Sequence, residues 1–361
     1  GINMHKKLFI PGPVDVRPEV LAKMSTPMIS HRGKAATELG KDVCTKLQKV
    51  FQTNNVIVLS TTSGSGLMES AIRCCTAKRA AVFSIGAFGD RWYKMAVSNG
   101  VPADKFRAED GHATDPQEVD AALATGKYDL ITVTHNETSV GIMNPIKEIA
   151  EVVKKYPDVV FCVDTVSSMG GTSIPVDELG IDFCITSTQK CLGCPPGMSA
   201  ASVSKKAYER AKTVPNRGLY LDIVEIYDKV VKDDKYQYPS TPSLSHMFAL
   251  QEELTYMLEV ETLEKRYARH LEMAEYIRAW AKKYFALFSD ERYLSPTLTT
   301  IKNTRGINVS ELNKKLAEKG IEISNGYGDL KEKTFRISHM ADMTMDDMKE
   351  VTSAIEEVLG L

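Results

Sequence analysis

Several things are scarce in this sequence, and each scarcity excludes something. Its 361 residues carry 45 lysines and arginines against 47 aspartates and glutamates, a formal net charge of −2. No basic excess is available to neutralise a phosphate backbone, which argues against nucleic-acid binding as the main function. There is no uncharged apolar run long enough to span a bilayer, and no short apolar core with a small-residue cleavage site like that of a signal peptide. The seven cysteines (Cys44, Cys74, Cys75, Cys162, Cys184, Cys191 and Cys194) are few and odd in number. Four lie in or beside apolar stretches and read as small hydrophobes in a reducing compartment, so the predicted location is cytoplasmic. Cys191 and Cys194 form a CxxC with neither a second pair nor a nearby His-x-His, so packing roles are expected and zinc is not. Repeats, low-complexity tracts and long charge blocks are absent. Gly1-Ile2-Asn3 ahead of Met4 reads as an appended remnant and is set aside.

The composition, 43% hydrophobic and 25% charged, is that of a globular protein with two or three folding units. Short runs rich in β-branched residues at 55–60, 80–85, 129–134, 159–163 and 182–186 are apolar throughout, as strands buried on both faces must be. Between the third and fourth, Asn144 is placed to cap a helix with Pro145 at its first position. Ile146, Ile149, Val152, Val153 and Tyr156 recur at helical spacing, and Pro157 ends the segment. Asp115-Pro116 opens another helix that Gly126 closes. Strand, helix, strand in series predicts a parallel α/β sheet over the first two-thirds of the chain. After about residue 255 the pattern changes to a long helical stretch, 250–285, then a strand at 298–301 and a helix at 310–320. Strands at 320–324 and 334–337 follow, and a closing helix is capped by Thr344, with Met348, Val351, Ile355 and Val358 on one face. A small α+β unit is expected there.

Ligands of open α/β sheets bind beyond the carboxyl ends of the strands. Four segments in such places carry chemistry. Ser63-Gly64-Ser65-Gly66 can present amides and hydroxyls to a phosphate at a helix N-terminus, or can be a flexible turn; it is neither a P-loop nor GxGxxG. Asp164 ends a strand, where it can face a cation or cap a turn. Lys190 lies in an apolar, hydroxyl-rich run, where a lysine can lose its proton and become a nucleophile, although most lysines are solvated. Arg336 stands on an apolar strand. Pointing inward it needs an anion; on an edge strand it would be unremarkable. The adjoining His339 reads as a hydrogen-bonded structural histidine. Phosphate cradle, acid, lysine and carboxylate-binding arginine are together what pyridoxal 5′-phosphate chemistry requires, although other ligands also carry phosphates.

Taken in order along the chain, these motifs resemble the class V pyridoxal-phosphate aminotransferases, specifically the alanine/serine–glyoxylate (serine–pyruvate) group. The likeness runs through Pro11-Gly12-Pro13, Ile29-Ser30-His31-Arg32, Ser63-Gly64-Ser65-Gly66-Leu67-Met68-Glu69 and Gly86-Ala87-Phe88-Gly89-Asp90-Arg91-Trp92. It continues in Thr134-His135-Asn136-Glu137-Thr138-Ser139, Val163-Asp164, Gln189-Lys190-Cys191-Leu192, Pro195-Pro196-Gly197 and Phe335-Arg336-Ile337. The resemblance implies the aspartate-aminotransferase-like fold (fold type I). A large domain over 16–255 would hold a mainly parallel seven-stranded sheet, a smaller α+β domain would span 256–361, and residues 1–15 would line the active site. It further implies pyridoxal 5′-phosphate as cofactor, with Lys190 as the Schiff-base lysine and proton shuttle and Asp164 as partner of the pyridine nitrogen. Ser63, Gly64, Ser65 and Gln189 would hold the phosphate. Phe88 would stack on the ring where tryptophan is common in the family, and Ser139 would lie beside the cofactor. Arg336 and the backbone of Gly12 would bind substrate. Tyr238 and Thr241, in Tyr238-Pro239-Ser240-Thr241-Pro242, match a stretch that reaches the neighbour's phosphate, which implies a homodimer with shared active sites.

The implied reaction is ping-pong transamination from alanine or serine to glyoxylate or pyruvate. A cysteine desulfurase would need a nucleophilic cysteine late in the chain, and none follows Cys194. Aminotransferases of 2-aminoethylphosphonate or phosphoserine stay open, although each substrate would want a second cationic anchor. A catalytically silent scaffold is disfavoured by the joint presence of Lys190, Asp164 and Arg336.

Overall fold

A computed structural model describes residues 5–361; Gly1 to Met4, including the remnant-like start, lie outside the described residues. The five apolar runs form strands close to their expected bounds. They are β1 (Val56–Ser60), β2 (Ala80–Ser84), β4 (Leu130–Thr134), β5 (Val160–Asp164) and β6 (Phe183–Ser187). Two more strands complete the sheet, β3 (Ala103–Arg107) and β7 (Ser199–Val203), in spatial order β1-β7-β6-β5-β4-β2-β3. Only β7 runs antiparallel to its neighbours.

Successive strand residues feed opposite faces, as the pleat requires. Ile131, Val133, Phe161 and Val163 join one buried cluster with helix Lys34–Phe51, whereas Leu130, Val160, Cys162 and Phe183 join another beneath helix α1 (Gly64–Cys75). Each large side chain so buried contributes about 2 kcal/mol, which fixes the strand ends from which the site is built. All seven cysteines are buried and free.

A smaller antiparallel sheet is made of Ala286–Leu287, Leu298–Lys302, Thr334–Ser338 and Ser324–Asn325, in that order. Helices Leu263–Tyr284, Val309–Glu318 and Met345–Leu359 supply its core through Met273, Ile277, Leu312, Leu316, Val351 and Ile355. Thr344 caps the last of them in a reciprocal capping box with Asp347.

Three expectations are corrected. The helix predicted from Asn144 is Ile146–Val153 with Pro145 at its N-cap; the Asn144 side chain accepts from Thr114 N and donates to Thr134 O, pinning two loops instead of capping. The stretch 250–285 is not one helix. Helix Leu244–Thr255 passes into a π-helical segment Tyr256–Glu261, and Thr262, at φ +71°, breaks the path before Leu263–Tyr284. The strand predicted at 320–324 is two two-residue pieces in different sheets. Ile321–Glu322 pairs in parallel with Lys7–Leu8, and Ser324–Asn325 borders Thr334–Ser338. The start of the chain is thereby fastened to the smaller sheet, with Phe9 in its core. No helix among the described residues is long and apolar enough to cross a membrane.

Candidate active site

The carboxyl ends of β1, β2, β4, β5 and β6 converge on one cleft with about 590 Å³ of empty space. It is lined by Ser63, Gly64, Ser65, Phe88, Asp164, Gln189 and Lys190, together with Met68, Arg91, Asn136, Thr138, Val166 and Ser167. Seven of the twelve expected site residues therefore meet in a single place. A larger share of hydrophobic lining belongs to a separate pocket about Leu59, Met198, Tyr238 and Met247, which holds no lysine or arginine and no acid.

Ser63 is the N-cap residue of α1 and makes no capping bond with its side chain; Gly64 N donates to Ser187 Oγ (3.3 Å) and Gly66 N to Ser63 O (3.0 Å), and this first turn lines the cleft beside two hydroxyls. The Arg91 guanidinium donates to Ser65 Oγ at 3.2 Å and lies 4.8 Å from the centre of the Phe88 ring. Both residues sit on the first turns of α2 (Ala87–Ser98), three positions apart and so on one face. Glu137 holds that turn from below. Fully buried, its carboxylate accepts from Phe88 N (3.0 Å), Gly89 N (2.9 Å), Ser139 N (3.2 Å) and Ser139 Oγ (2.8 Å). Burial pushes its pKa up and the four donors oppose the rise.

Asp164 accepts from Val166 N at 2.8 Å, and burial raises its pKa to about 6. Lys190 is lowered to about 8, first by burial and then by the positive charge of Arg336. Its Nζ donates to the carbonyl of Pro11. Gly12, at φ +100°, is required there: a Cβ would run into the lysine side chain. The Gln189 Oε1 accepts from Ser187 Oγ.

Arg336 is on the central strand Thr334–Ser338, not an edge, and is only 8% exposed. Its Nε donates to Asn325 O (3.0 Å) and its NH1 reaches across to Thr138 O (3.2 Å). No carboxylate among the described residues pairs with it, and burial lowers its pKa to about 10. His339 donates from Nδ1 to Pro296 O (3.1 Å), accepts at Nε2 from Thr299 (2.8 Å) and is held neutral, with a pKa near 3 set by burial; it is structural.

Three expected residues stand elsewhere. Ser139 is turned away, because its hydroxyl donates to Glu137 and accepts from Ala87 N (3.2 Å); Asn136 and Thr138 take the place beside the cleft. Tyr238 is buried in the separate pocket, where its hydroxyl accepts from Thr61 N (3.3 Å), and Thr241 is exposed. Arg32 donates to Tyr238 O (2.8 Å) and fixes this stretch. Arg91, Asn136 and Glu137 were not assigned roles from sequence. The helical spacing of Phe88 and Arg91 was a usable signal for the arginine, and a glutamate amid Thr and Ser just beyond a buried strand was one for Glu137.

The arrangement fits a phosphorylated aldehyde cofactor on independent grounds. It offers an uncapped helix start beside a cation, a buried amine with a depressed pKa, and a buried carboxylate. Asn136 Oδ1, in the same lining, is buried without a hydrogen-bond partner. The profile of the family described as Aminotransferase class-V matches residues 19–351. An uncharacterised aminotransferase of Methanocaldococcus jannaschii is 41% identical over 345 residues, covering 93% of this chain and 88% of that protein. The alanine–glyoxylate aminotransferase of Oryctolagus cuniculus is 30% identical, with 98% and 93% covered. The crystal structure of the alanine–glyoxylate aminotransferase from Nostoc sp. superposes with a TM-score of 0.92 at 27% identity, covering 99% and 96% of the two chains. Fold, cleft and likeness agree: this chain belongs to the class V aminotransferases, enzymes of fold type I that depend on pyridoxal 5′-phosphate.

Proposed function

We propose that this aminotransferase moves the amino group of alanine or serine to glyoxylate or pyruvate in two half-reactions, as a homodimer. The observation that carries the reading is Arg336, a buried guanidinium without a carboxylate partner among the described residues, whose NH1 donates to the carbonyl of Thr138 in the lining of the cleft that holds Lys190 and Asp164 and whose charge acts on Lys190. A buried cation left unpaired is costly, and a substrate α-carboxylate offsets that cost by a bidentate, charge-assisted pair. When bound, pyridoxal 5′-phosphate supplies an aldehyde for covalent attachment of an amine and a ring that delocalises the electron pair left on the α-carbon.

Each residue has a part in this scheme. Ser63, Gly64, Ser65 and Gln189 would hold the phosphate, and Phe88 would cover the ring. Asp164, ionised at neutral pH, would favour a protonated ring nitrogen. With its pKa near 8, Lys190 has a usable neutral fraction at physiological pH, so it can attach covalently. Its Nζ would also be the base that accepts and passes on the proton of the substrate α-carbon. Substrates with an additional phosphate or phosphonate fit less well. Besides Lys190, the cation in the cleft lining is Arg91, and it is already engaged at Ser65, on the side of the α1 turn. The names of the two alanine–glyoxylate relatives support the same choice. The part with the seven-stranded sheet, 16–255, would act as the cofactor domain and 256–361 as the substrate-clasping one, with the exposed Thr241, on the stretch that the buried Tyr238 anchors, offered to the other subunit.

Borohydride treatment of the purified, yellow protein followed by peptide mass analysis should find the cofactor fixed on Lys190. A panel of alanine, serine, 2-aminoethylphosphonate and phosphoserine, each with glyoxylate or pyruvate, should show turnover with the first two only. Turnover confined to the phosphorylated or phosphonylated donors would overturn the reading.

A further inference from the structure

Tyr327 is an exposed aromatic ring that the scheme above does not use. It is 40% exposed, yet its ring lies 5.6 Å from that of Phe88, tilted by 49°, and 5.7 Å from the Arg336 guanidinium carbon. The ring thus stands between Phe88 of helix α2, which lines the cleft, and Arg336 of the small sheet. Its backbone is not free to wander. Gly326 N donates to Thr334 O (3.0 Å), and Leu330 N donates to Tyr327 O (3.0 Å). Any Cβ on Gly326 would run into the Leu330 carbonyl, so the turn can be this tight only with glycine before the tyrosine. A bulky ring is therefore presented from a pinned turn, and what it touches is the proposed anchor of the substrate carboxylate and the proposed cover of the cofactor.

We propose that Tyr327 is a specificity-determining wall: together with Phe88 it limits the side chain of the amino donor to one or two heavy atoms. The inference rests on Arg336 being the carboxylate anchor. With the carboxylate held at Arg336 and the α-carbon delivered to Lys190, the substrate side chain is left between those points and the aromatic pair. The ring face also attracts the guanidinium, holding it in place for the incoming carboxylate. An aromatic wall discriminates by exclusion, and one methylene too many in such a pocket costs about 10- to 200-fold.

Two series test this on holoenzyme and its Tyr327→Ala and Tyr327→Phe variants, each first shown by absorbance to carry cofactor. In one, alanine, 2-aminobutyrate and norvaline are mixed with protein without an acceptor, and the rate of change of cofactor absorbance is followed. In the other, acetate, propanoate and pentanoate are titrated calorimetrically as unreactive carboxylates. Wild-type protein should favour alanine over norvaline, and acetate over pentanoate, by about tenfold or more. Tyr327→Ala should shrink both ratios by about tenfold, and Tyr327→Phe should keep them within about twofold. A Tyr327→Ala holoenzyme with wild-type ratios overturns the inference. Silence of the wild type toward every amino donor overturns the transaminase reading instead, and the carboxylate series still decides the role of the tyrosine.

Discussion

The two walls of the cleft are built differently. On the side of the large sheet most of the charged groups are already engaged, while Asn136 Oδ1 is left open. Glu137 accepts from four donors, Asp164 from Val166 N and Gln189 from Ser187, while Arg91 leans on Ser65 and Phe88. On the side of the small sheet, Arg336 has only two backbone carbonyls, and Tyr327 has a ring open to water. A wall held in place by its own hydrogen bonds suits a cofactor that stays, because the few groups left open, Asn136 Oδ1 among them, need no rearrangement on binding. An unsatisfied wall suits a substrate that comes and goes, because the missing interaction is what the substrate brings.

That contrast can be broken at several points. Lys190→Ala should abolish transamination outright and leave no cofactor fixed by borohydride; steady-state turnover together with mass analysis checks both. Arg336→Ala should raise the KM for amino donors by about 100-fold, with Arg336→Lys recovering part of it, since a lysine cannot offer the bidentate fork. On the other wall, Glu137→Ala strips Phe88 N, Gly89 N and Ser139 of their acceptor and should cost about 3 kcal/mol in denaturant unfolding, a loss of stability that Arg336→Ala should not share. Cofactor uptake by stripped protein should quicken by about tenfold or more from pH 6 to pH 8 and level off above pH 9. The sign follows from two groups: raising the pH ionises Asp164 near 6, as a cationic ring nitrogen requires, and frees the Lys190 amine near 8. Rates flat across that range, read by absorbance, would mean that neither group limits uptake. Smallest and furthest from the cleft, Thr344→Ala should lower stability by about 1 kcal/mol through loss of the capping box, with KM and kcat unchanged.

Much of this was legible from composition and pattern, and what escaped did so for definite reasons. β2, β4, β5 and β6 announce themselves as unbroken apolar runs because both faces are buried. β3, Ala-Asp-Lys-Phe-Arg, is a half-exposed edge strand and reads as polar, and β7, Ser-Ala-Ala-Ser-Val, is made of small residues with little hydrophobic signal. Lys190, Asp164 and the serine turn follow strands in sequence, so the rule that ligands sit at strand ends finds them. The family resemblance implies Ser139 beside the cofactor, but the neighbouring glutamate claims its hydroxyl. Tyr327 had no signal at all, since its contacts are with Phe88 and Arg336, one of them more than 200 positions away, and exist only once the two sheets are brought together.

The beginning of the chain has one more consequence. Lys7–Leu8 is laced to Ile321–Glu322, yet Pro11 receives the hydrogen bond of the Lys190 amine and Val14 N donates to the Gln189 carbonyl. A leash of only a few residues therefore ties the Ile321–Glu322 strand to the Lys190 amine. Additions to the first residues should accordingly disturb the cleft sooner than equal additions after the closing helix.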